Sequence, residues 1–253
     1  MNKTILITGA SSGIGKSMAD KFYEMGWTVV AAARREKLLK PKIYSKKNKN
    51  KFVPLKLDIT KKNLVDAALY RVFKKYGFPK IIILNAGVNN PNDNKITNLK
   101  KIHDIYQVNF FGTLNCVDAV INLYREKQKS SQLVLVSSVA GYRGLPYAAA
   151  YCSSKSALIS FAESIYHQCK LIGLHVRVIN PGFIKTPLTD KNNFKMPMMI
   201  SSETASNIIY KKILNTKSFE ISLPKLFCIF MKVIKVMPYP LYFKLTSFLL
   251  KKL

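Results

Sequence analysis

Acidic residues are scarce in this chain: 13 Asp and Glu stand against 41 Lys and Arg in 253 residues, a formal net charge of +28. An imbalance of that size ordinarily raises nucleic acid or an anionic membrane as a partner. The densest basic stretch, Arg34 to Lys62, carries twelve basic and two acidic residues. It lacks the interleaved aromatic platform on which single-strand binders stack bases, so nucleic-acid binding is not expected. Lysine supplies 35 of the 41 cations and is spread along the chain with asparagine, a pattern that biased genomic composition produces without any partner.

Metal and thiol chemistry are equally thin. The three histidines, His103, His167 and His175, are isolated and lack the close partners that a metal centre or a Ser-His-Asp triad needs. The four cysteines, Cys116, Cys152, Cys169 and Cys228, show no C-x-x-C spacing. Met1 leads almost at once into a strand with no signal peptide, so reduced thiols in a cytoplasmic chain are expected. No solenoid-type repeat is present.

What is present is an alternation of short apolar runs with longer mixed segments. Ile5 to Ile7, Val29 to Ala33, Ile81 to Leu84, Leu133 to Val136 and Val176 to Ile179 have the length and flanks of buried parallel strands. Residues 61 to 76, 99 to 124, 151 to 172 and 201 to 215 have the length and apolar spacing of helices. Strand and helix in turn predict right-handed crossovers and an α/β, doubly wound parallel sheet of Rossmann type, in one domain over residues 1–220.

Three motifs carry chemistry. Lys3 to Ile7 is followed by T-G-A-S-S-G-I-G from Thr8 to Gly15 and an amphipathic run to Met25, which is strand, glycine turn, helix. Glycines allow tight turns and close approach to a pyrophosphate, and the helix start offers free N–H groups at the positive end of its dipole. Tyr151 and Lys155 in Y-C-S-S-K are spaced to share one helical face, and Ser138 lies upstream in L-V-S-S-V-A-G. A cation beside a phenol favours phenolate, so Lys155 is expected to lower the Tyr151 pKa from about 10 toward working pH. Cys152, beside this tyrosine, has no supporting base and reads as packing.

Together these segments resemble the short-chain dehydrogenase/reductase family from about Thr4 to Thr186. The resemblance is carried by T-G-A-S-S-G-I-G at 8–15, L-D-I at 57–59, N-A-G at 85–87, Asn109, S-S-V-A-G at 137–141, Y-C-S-S-K at 151–155 and N-P-G-F-I-K-T at 180–186. Leu84 stands where many members have a further asparagine. The resemblance implies hydride transfer between a nicotinamide and a carbonyl or its alcohol. Ser138 would orient the substrate oxygen, Tyr151 would move the proton, Lys155 would bind the nicotinamide ribose, and Asn109 would link Lys155 to solvent. Of the two serines, the family pattern makes Ser138 rather than Ser137 the catalytic one. Cofactor contacts are implied for Gly9, Ser11, Ser12, Gly13, Ile14, Gly15, Asp58, Asn85, Ala86, Gly87, Pro181, Gly182, Ile184 and Thr186, with Tyr151 and Lys155 touching it too. The family is usually dimeric or tetrameric.

The choice between the two dinucleotides rests on the end of the second strand, where NAD sites place a carboxylate. Here Ala33 takes that place and Arg34 and Arg35 follow, so NADP(H) is expected. Residues after Thr186, P-L-T-D-K-N-N-F-K-M-P-M-M-I, read as a lid whose Met, Phe and Leu content suggests an apolar substrate. An active NADP(H)-dependent oxidoreductase is expected, with a nucleotide-binding protein that lacks turnover as the alternative.

Residues 221–253 read as a separate C-terminal extension with six lysines, no acid and many apolar side chains. Their longest uncharged run, Val236 to Phe243, is far below the roughly 18 residues of a spanning helix. Helices from Pro224 to Met237 and from Leu241 onward would have a lysine edge and a broad apolar face. That face suits either peripheral contact with an anionic membrane or cover for the substrate cleft or a subunit interface.

Overall fold

The structure, a computed structural model, describes residues 3–42, 51–89, 98–125, 129–192 and 196–250. In chain order the elements are β1 (Thr4–Thr8), α1 (Gly13–Glu24), β2 (Thr28–Ala33), β3 (Phe52–Lys56), α2 (Lys62–Tyr76), β4 (Ile81–Leu84) and α3 (Leu99–Tyr106). A π-helical turn, Gln107–Gly112, joins α3 to α4 (Thr113–Tyr124). Then come β5 (Ser131–Val136), α5 (Ala149–Leu171), β6 (Leu174–Pro181), β7 (Ile184–Lys185), β8 (Ile200–Ser201), α6 (Ser202–Asn215), β9 (Glu220–Leu223), α7 (Lys225–Val236) and α8 (Tyr239–Leu250).

Seven strands form one parallel sheet in the order β3-β2-β1-β4-β5-β6-β9. The central strands are apolar throughout because both faces are covered. Leu6, Ile82, Leu133 and Leu135 join one core with residues of α2, α4, α5 and α7. Ile5, Ile7, Ile81, Ile83 and Val134 join the opposite core with α1 and α6. The strand order reverses between β1 and β4, which opens a crevice at the carboxyl ends of those strands, where ligands of open α/β sheets bind.

Two strands of this sheet were not visible in the sequence, and both are its edges; the short pair β7 and β8 was not foreseen either. β3 reads F-V-P-L-K, is half-exposed, and carries Pro54, which an edge strand tolerates because one side needs no ladder bond. β9 opens on charged Glu220 and pairs only with β6, from Val178↔Glu220 to Pro181↔Leu223. The division expected between residues 220 and 221 therefore falls inside a strand of the main sheet. Phe227, Cys228, Met231, Ile234 and Tyr242 of the following helices belong to the same core as β5 and β6. Residues 221–250 are thus built into the sheet's edge and one of its faces.

The docking of α7 has a polar anchor. Glu220 accepts hydrogen bonds from the Tyr142 hydroxyl, from Asn180 Nδ2 at 2.8 Å and from Lys232 Nζ. Partial burial opposes its charge, but the three donors outweigh it and hold the carboxyl below its ordinary range. A carboxyl with a lowered folded pKa contributes stability above its unfolded pKa and loses it as pH falls through the folded value. Glu220→Ala is therefore expected to destabilise by about 1–3 kcal/mol at neutral pH. In denaturant unfolding, the gap from the parent should narrow as the pH drops below about 4.

Candidate functional site

β1 ends at Thr8, and the chain turns through Gly9 to Ser12 before α1 begins. Gly9 has φ +68°, and a Cβ there would stand 2.7 Å from Ala86 Cα. A Cβ on Gly15 would stand 2.3 Å from both Asn85 Nδ2 and the Gly9 carbonyl oxygen. Only glycine lets this turn lie against the exit of β4. Asn85 fastens the two: its Nδ2 donates to the carbonyls of Thr8 at 3.1 Å and Gly9 at 3.3 Å. In return Thr8 Oγ1 accepts from the backbone N–H of Asn85 at 3.0 Å and of Ala86 at 3.2 Å. Thr8 is the support the sequence did not single out, although it opens the glycine motif.

Ser12, the N-cap of α1, is extended and makes no side-chain cap, and no acid occupies the first turn. Its backbone donors and the positive end of the helix therefore suit an anion brought up against bare backbone. At the end of β2, Arg35 Nη2 donates to Ser11 Oγ at 3.2 Å and Ser12 Oγ at 3.0 Å, which holds a guanidinium over the glycine turn. Across the crevice, partial burial works against the charge of Asp58. Bonds from Thr60 N–H (3.0 Å) and Oγ1 (2.8 Å), with Arg34 and Lys61 nearby, prevail and keep its carboxyl below the ordinary range.

At the other end of the same crevice stand the hydroxyls and the amine. Ser138 follows β5 with an extended backbone; its Oγ accepts from Ala140 N–H at 3.1 Å and donates to the Pro181 carbonyl at 3.4 Å. Its neighbour Ser137 also borders the crevice, but its hydroxyl donates to the Lys155 carbonyl at 2.7 Å, tying β5 to α5. Tyr151 and Lys155, one turn apart on α5, both face the crevice, with Lys155 Nζ 5.7 Å from the Tyr151 ring centre. Asn109 sits fully buried on the π-helical turn, a distortion frequent at functional sites. Its Oδ1 accepts from Val88 N–H at 2.8 Å, while Nδ2 donates to the Val88 carbonyl at 3.0 Å and Ser154 Oγ at 3.1 Å.

The proton affinities correct one expectation. Lys155 does not lower the Tyr151 pKa here; burial pushes the phenol up to about 12, with the Ser138 hydroxyl pulling partly back and Cys152 adding to the rise. Burial also pushes Lys155 down to about 8. Its ammonium is spent on the Val136 carbonyl, to which Nζ donates at 3.0 Å. Lys155 Nζ stands over the ring rather than at the phenol oxygen, and desolvation dominates. At neutral pH the site therefore holds a protonated phenol and a charged lysine.

Most of these groups line one cavity of about 560 Å³. Its wall includes Gly9, Ser11, Ser12, Gly13, Ile14, Arg34, Arg35, Asp58, Asn85, Ala86 and Gly87, and at the far end Ser138, Tyr151, Lys155, Pro181, Gly182, Ile184 and Thr186. Gly15 and Asn109 are not in the wall: Gly15 packs behind the turn and Asn109 behind Val88. Leu57, Ile59, Val88 and Val108 line it without having been foreseen, since apolar wall residues look like core in a sequence. Pro187, Leu188, Thr189 and Lys191, from the segment expected to form a lid, also line it, and β7 and β8 pair at that segment's two ends. Asn193, Phe194 and Lys195 of that segment lie outside the described residues, as do residues 43–50 of the basic stretch.

The remaining polar residues have structural surroundings. Cys116, Cys152, Cys169 and Cys228 are buried free thiols. Burial raises the Cys152 thiol above its usual value, although the Leu145 N–H directed at its sulfur at 3.4 Å pulls the other way. Among the described residues no group of three His, Cys, Asp or Glu side chains could hold a metal ion.

A family model described as short chain dehydrogenase matches residues 3–197. An uncharacterized oxidoreductase of Myxococcus xanthus is 34% identical over 248 residues, which cover 95% of this chain and 94% of that protein. An alignment that covers 95% of this chain reaches past residue 220. The 3-oxoacyl-acyl-carrier-protein reductase of Thermotoga maritima is 31% identical over 192 residues, 75% of this chain and 77% of that protein. Among solved structures, a short chain dehydrogenase from Burkholderia cenocepacia in complex with NADP aligns with TM-score 0.81 at 22% identity, covering 96% of this chain and 97% of that one. Another, from Burkholderia phymatum in complex with NAD, aligns with TM-score 0.77 at 19% identity, covering 91% and 92%. At these identities the structural likenesses establish the fold.

Proposed function

The chain belongs to the short-chain dehydrogenase family of oxidoreductases, and from that premise we propose that it interconverts a carbonyl and an alcohol with NADP(H), on an apolar or lipid-like substrate. The observation that carries this reading is the convergence of Ser138, Tyr151 and Lys155 on the same cavity as the glycine turn and the arginine pair. The turn that a Cβ would fill and the uncapped start of α1 suit a phosphorylated dinucleotide. Arg34 and Arg35, with Ala33 in place of a carboxylate, suit the additional 2′-phosphate. When bound, the nicotinamide supplies the hydride for reduction or accepts it in oxidation.

The chain's own residues supply the rest. Ser138 would hydrogen-bond and orient the substrate oxygen. Tyr151, protonated at neutral pH because its pKa is pushed to about 12, would hand its proton to that oxygen as negative charge develops there. Lys155, still mostly charged below its value of about 8, would bind the ribose and stabilise that charge from one turn away. The relay assigned to Asn109 would run past Gly87, where a Cβ would lie 3.3 Å from Asn109 Oδ1 and 3.5 Å from Lys155 Nζ. Leu188 and Pro187 give the outer wall its apolar character.

Purified protein should oxidise NADPH in the presence of at least one class among aldehydes, ketones, 3-oxoacyl thioesters and steroid-like carbonyls. Tight NADPH binding without turnover across that panel would instead identify a nucleotide-binding protein of the same fold. For the cofactor choice, the double change Arg34→Ala and Arg35→Ala is expected to lower kcat/KM for NADPH about a hundredfold. The same variant should change NADH use less than about threefold, and an equal loss for both would remove the arginines from 2′-phosphate recognition.

A further inference from the structure

The helix α7 is apolar on two opposite sides. Phe227, Cys228, Met231 and Ile234 are buried against the sheet. Leu226, Ile229, Phe230, Val233 and Val236 recur at steps of three and four on the outer side, and each is 49% exposed or more. At the corner into α8 the apolar surface continues through exposed Tyr239, Leu241 and Phe243. Contiguous exposed patches of this kind mark interaction sites. The exposed lysines Lys225, Lys235 and Lys244 flank it, Lys232 being paired with Glu220, and residues 221–253 contain no acid.

We propose that this outer face of α7 and α8 docks the protein on an anionic membrane. The charge decides between occupants. An apolar stripe edged by lysines, on a chain of net charge +28, is complementary to an acidic lipid surface, which draws the lysines while the acyl boundary takes the rings and aliphatic chains. A second copy on a two-fold axis would place the same cationic patch against itself. No helix among the described residues is long and apolar enough to cross a membrane, so the contact is peripheral.

The helices that carry this face are fastened, by their inner side, next to the cleft. Arg143 Nη1 donates to the Lys235 carbonyl at 2.8 Å, and its guanidinium stands 4.4 and 4.5 Å from the ring centres of Tyr239 and Tyr242. The Tyr242 hydroxyl donates to the Gly144 carbonyl. Phe227 packs on Phe183 at 5.3 Å between ring centres, next to Gly182 in the cavity wall. The helices are therefore fastened to the loop that leads into Tyr151 and to the strand end that borders the substrate side. This docking stands apart from the choice of substrate, because it rests on the outer face alone.

The test is co-sedimentation of the full chain with phosphatidylcholine vesicles, with and without about one-third phosphatidylglycerol, at low and high salt. The parent protein is expected to bind the anionic vesicles and not the neutral ones. Val233→Ser with Val236→Ser should weaken that binding about tenfold while leaving Tm and NADPH affinity nearly unchanged, because both side chains are outside the core. Lys225→Glu with Lys244→Glu should weaken it by at least as much and reduce its salt dependence. Equal binding by the serine variant would overturn the proposal, since net charge alone would then account for attraction. Absence of vesicle binding would overturn it too, as would a dimer in sedimentation velocity that the serine variant converts to monomer.

Discussion

Tyr151→Phe is expected to lower kcat for carbonyl reduction about a thousandfold, within the range that one positioned acid contributes. The affinity for NADPH should stay within about threefold of the parent, because the ring stays and only the hydroxyl is lost. Stopped-flow turnover and NADPH fluorescence titration separate the two effects. The physical ground is the state of the phenol: burial holds its pKa at about 12, so the proton is present at neutral pH and leaves only when the substrate oxygen becomes basic. Reduction is accordingly the direction for which the resting site is ready. Alcohol oxidation needs the phenolate, so its rate should climb as pH rises through the alkaline range.

Lys155→Met is expected to do two opposite things. Activity should fall by at least a hundredfold, since the only buried amine among the described residues lining the cleft is lost. Stability should rise. The Lys155 pKa is lowered from 10.5 to about 8 by burial, so the charged form is disfavoured in the folded protein by about 3 kcal/mol below pH 8. Loss of the bond to the Val136 carbonyl offsets part of that gain, and about 1–3 kcal/mol of added stability at pH 7 is expected. The sign with pH follows from the depressed value. The parent's penalty fades as pH rises from about 8 toward 10.5, so the advantage of the variant should fade over the same window. Urea unfolding of both proteins at pH 7 and pH 10 measures this, and a variant less stable than the parent at pH 7 would contradict it. The same titration predicts that carbonyl reduction by the parent declines above pH 8, as the lysine loses its charge.

The central strands were legible because their both-faces-buried environment demands unbroken apolar runs, as in Ile81 to Leu84. The edges were not: Pro54 and Glu220 are unlike core-strand residues, and edge strands tolerate them. Missing β9 made the last thirty or so residues look appended, although Phe227 and Met231 share a core with β6. The glycine turn and the Tyr151–Lys155 face were legible because both depend on local spacing. The proton affinities were not, because a pKa answers to burial in three dimensions. The i,i+4 spacing brings Lys155 to the tyrosine, yet only the fold reveals that its ammonium is turned to the Val136 carbonyl. The role of Thr8 was hidden for a similar reason, since its partners Asn85 and Ala86 lie far along the chain.

The central claim is that one cavity would hold a protonated phenol at a carbonyl oxygen beside a bound nicotinamide cofactor, the source of hydride. Its most direct test follows deuterium from NADPH carrying two deuterium atoms at C4 into the product of a reduced aldehyde by mass spectrometry, for the parent and for Tyr151→Phe. The account predicts label on the carbinol carbon with the parent enzyme, and bound cofactor with almost no labelled product in the variant. Unlabelled alcohol from the parent, or equal labelling rates in the two proteins, would contradict it.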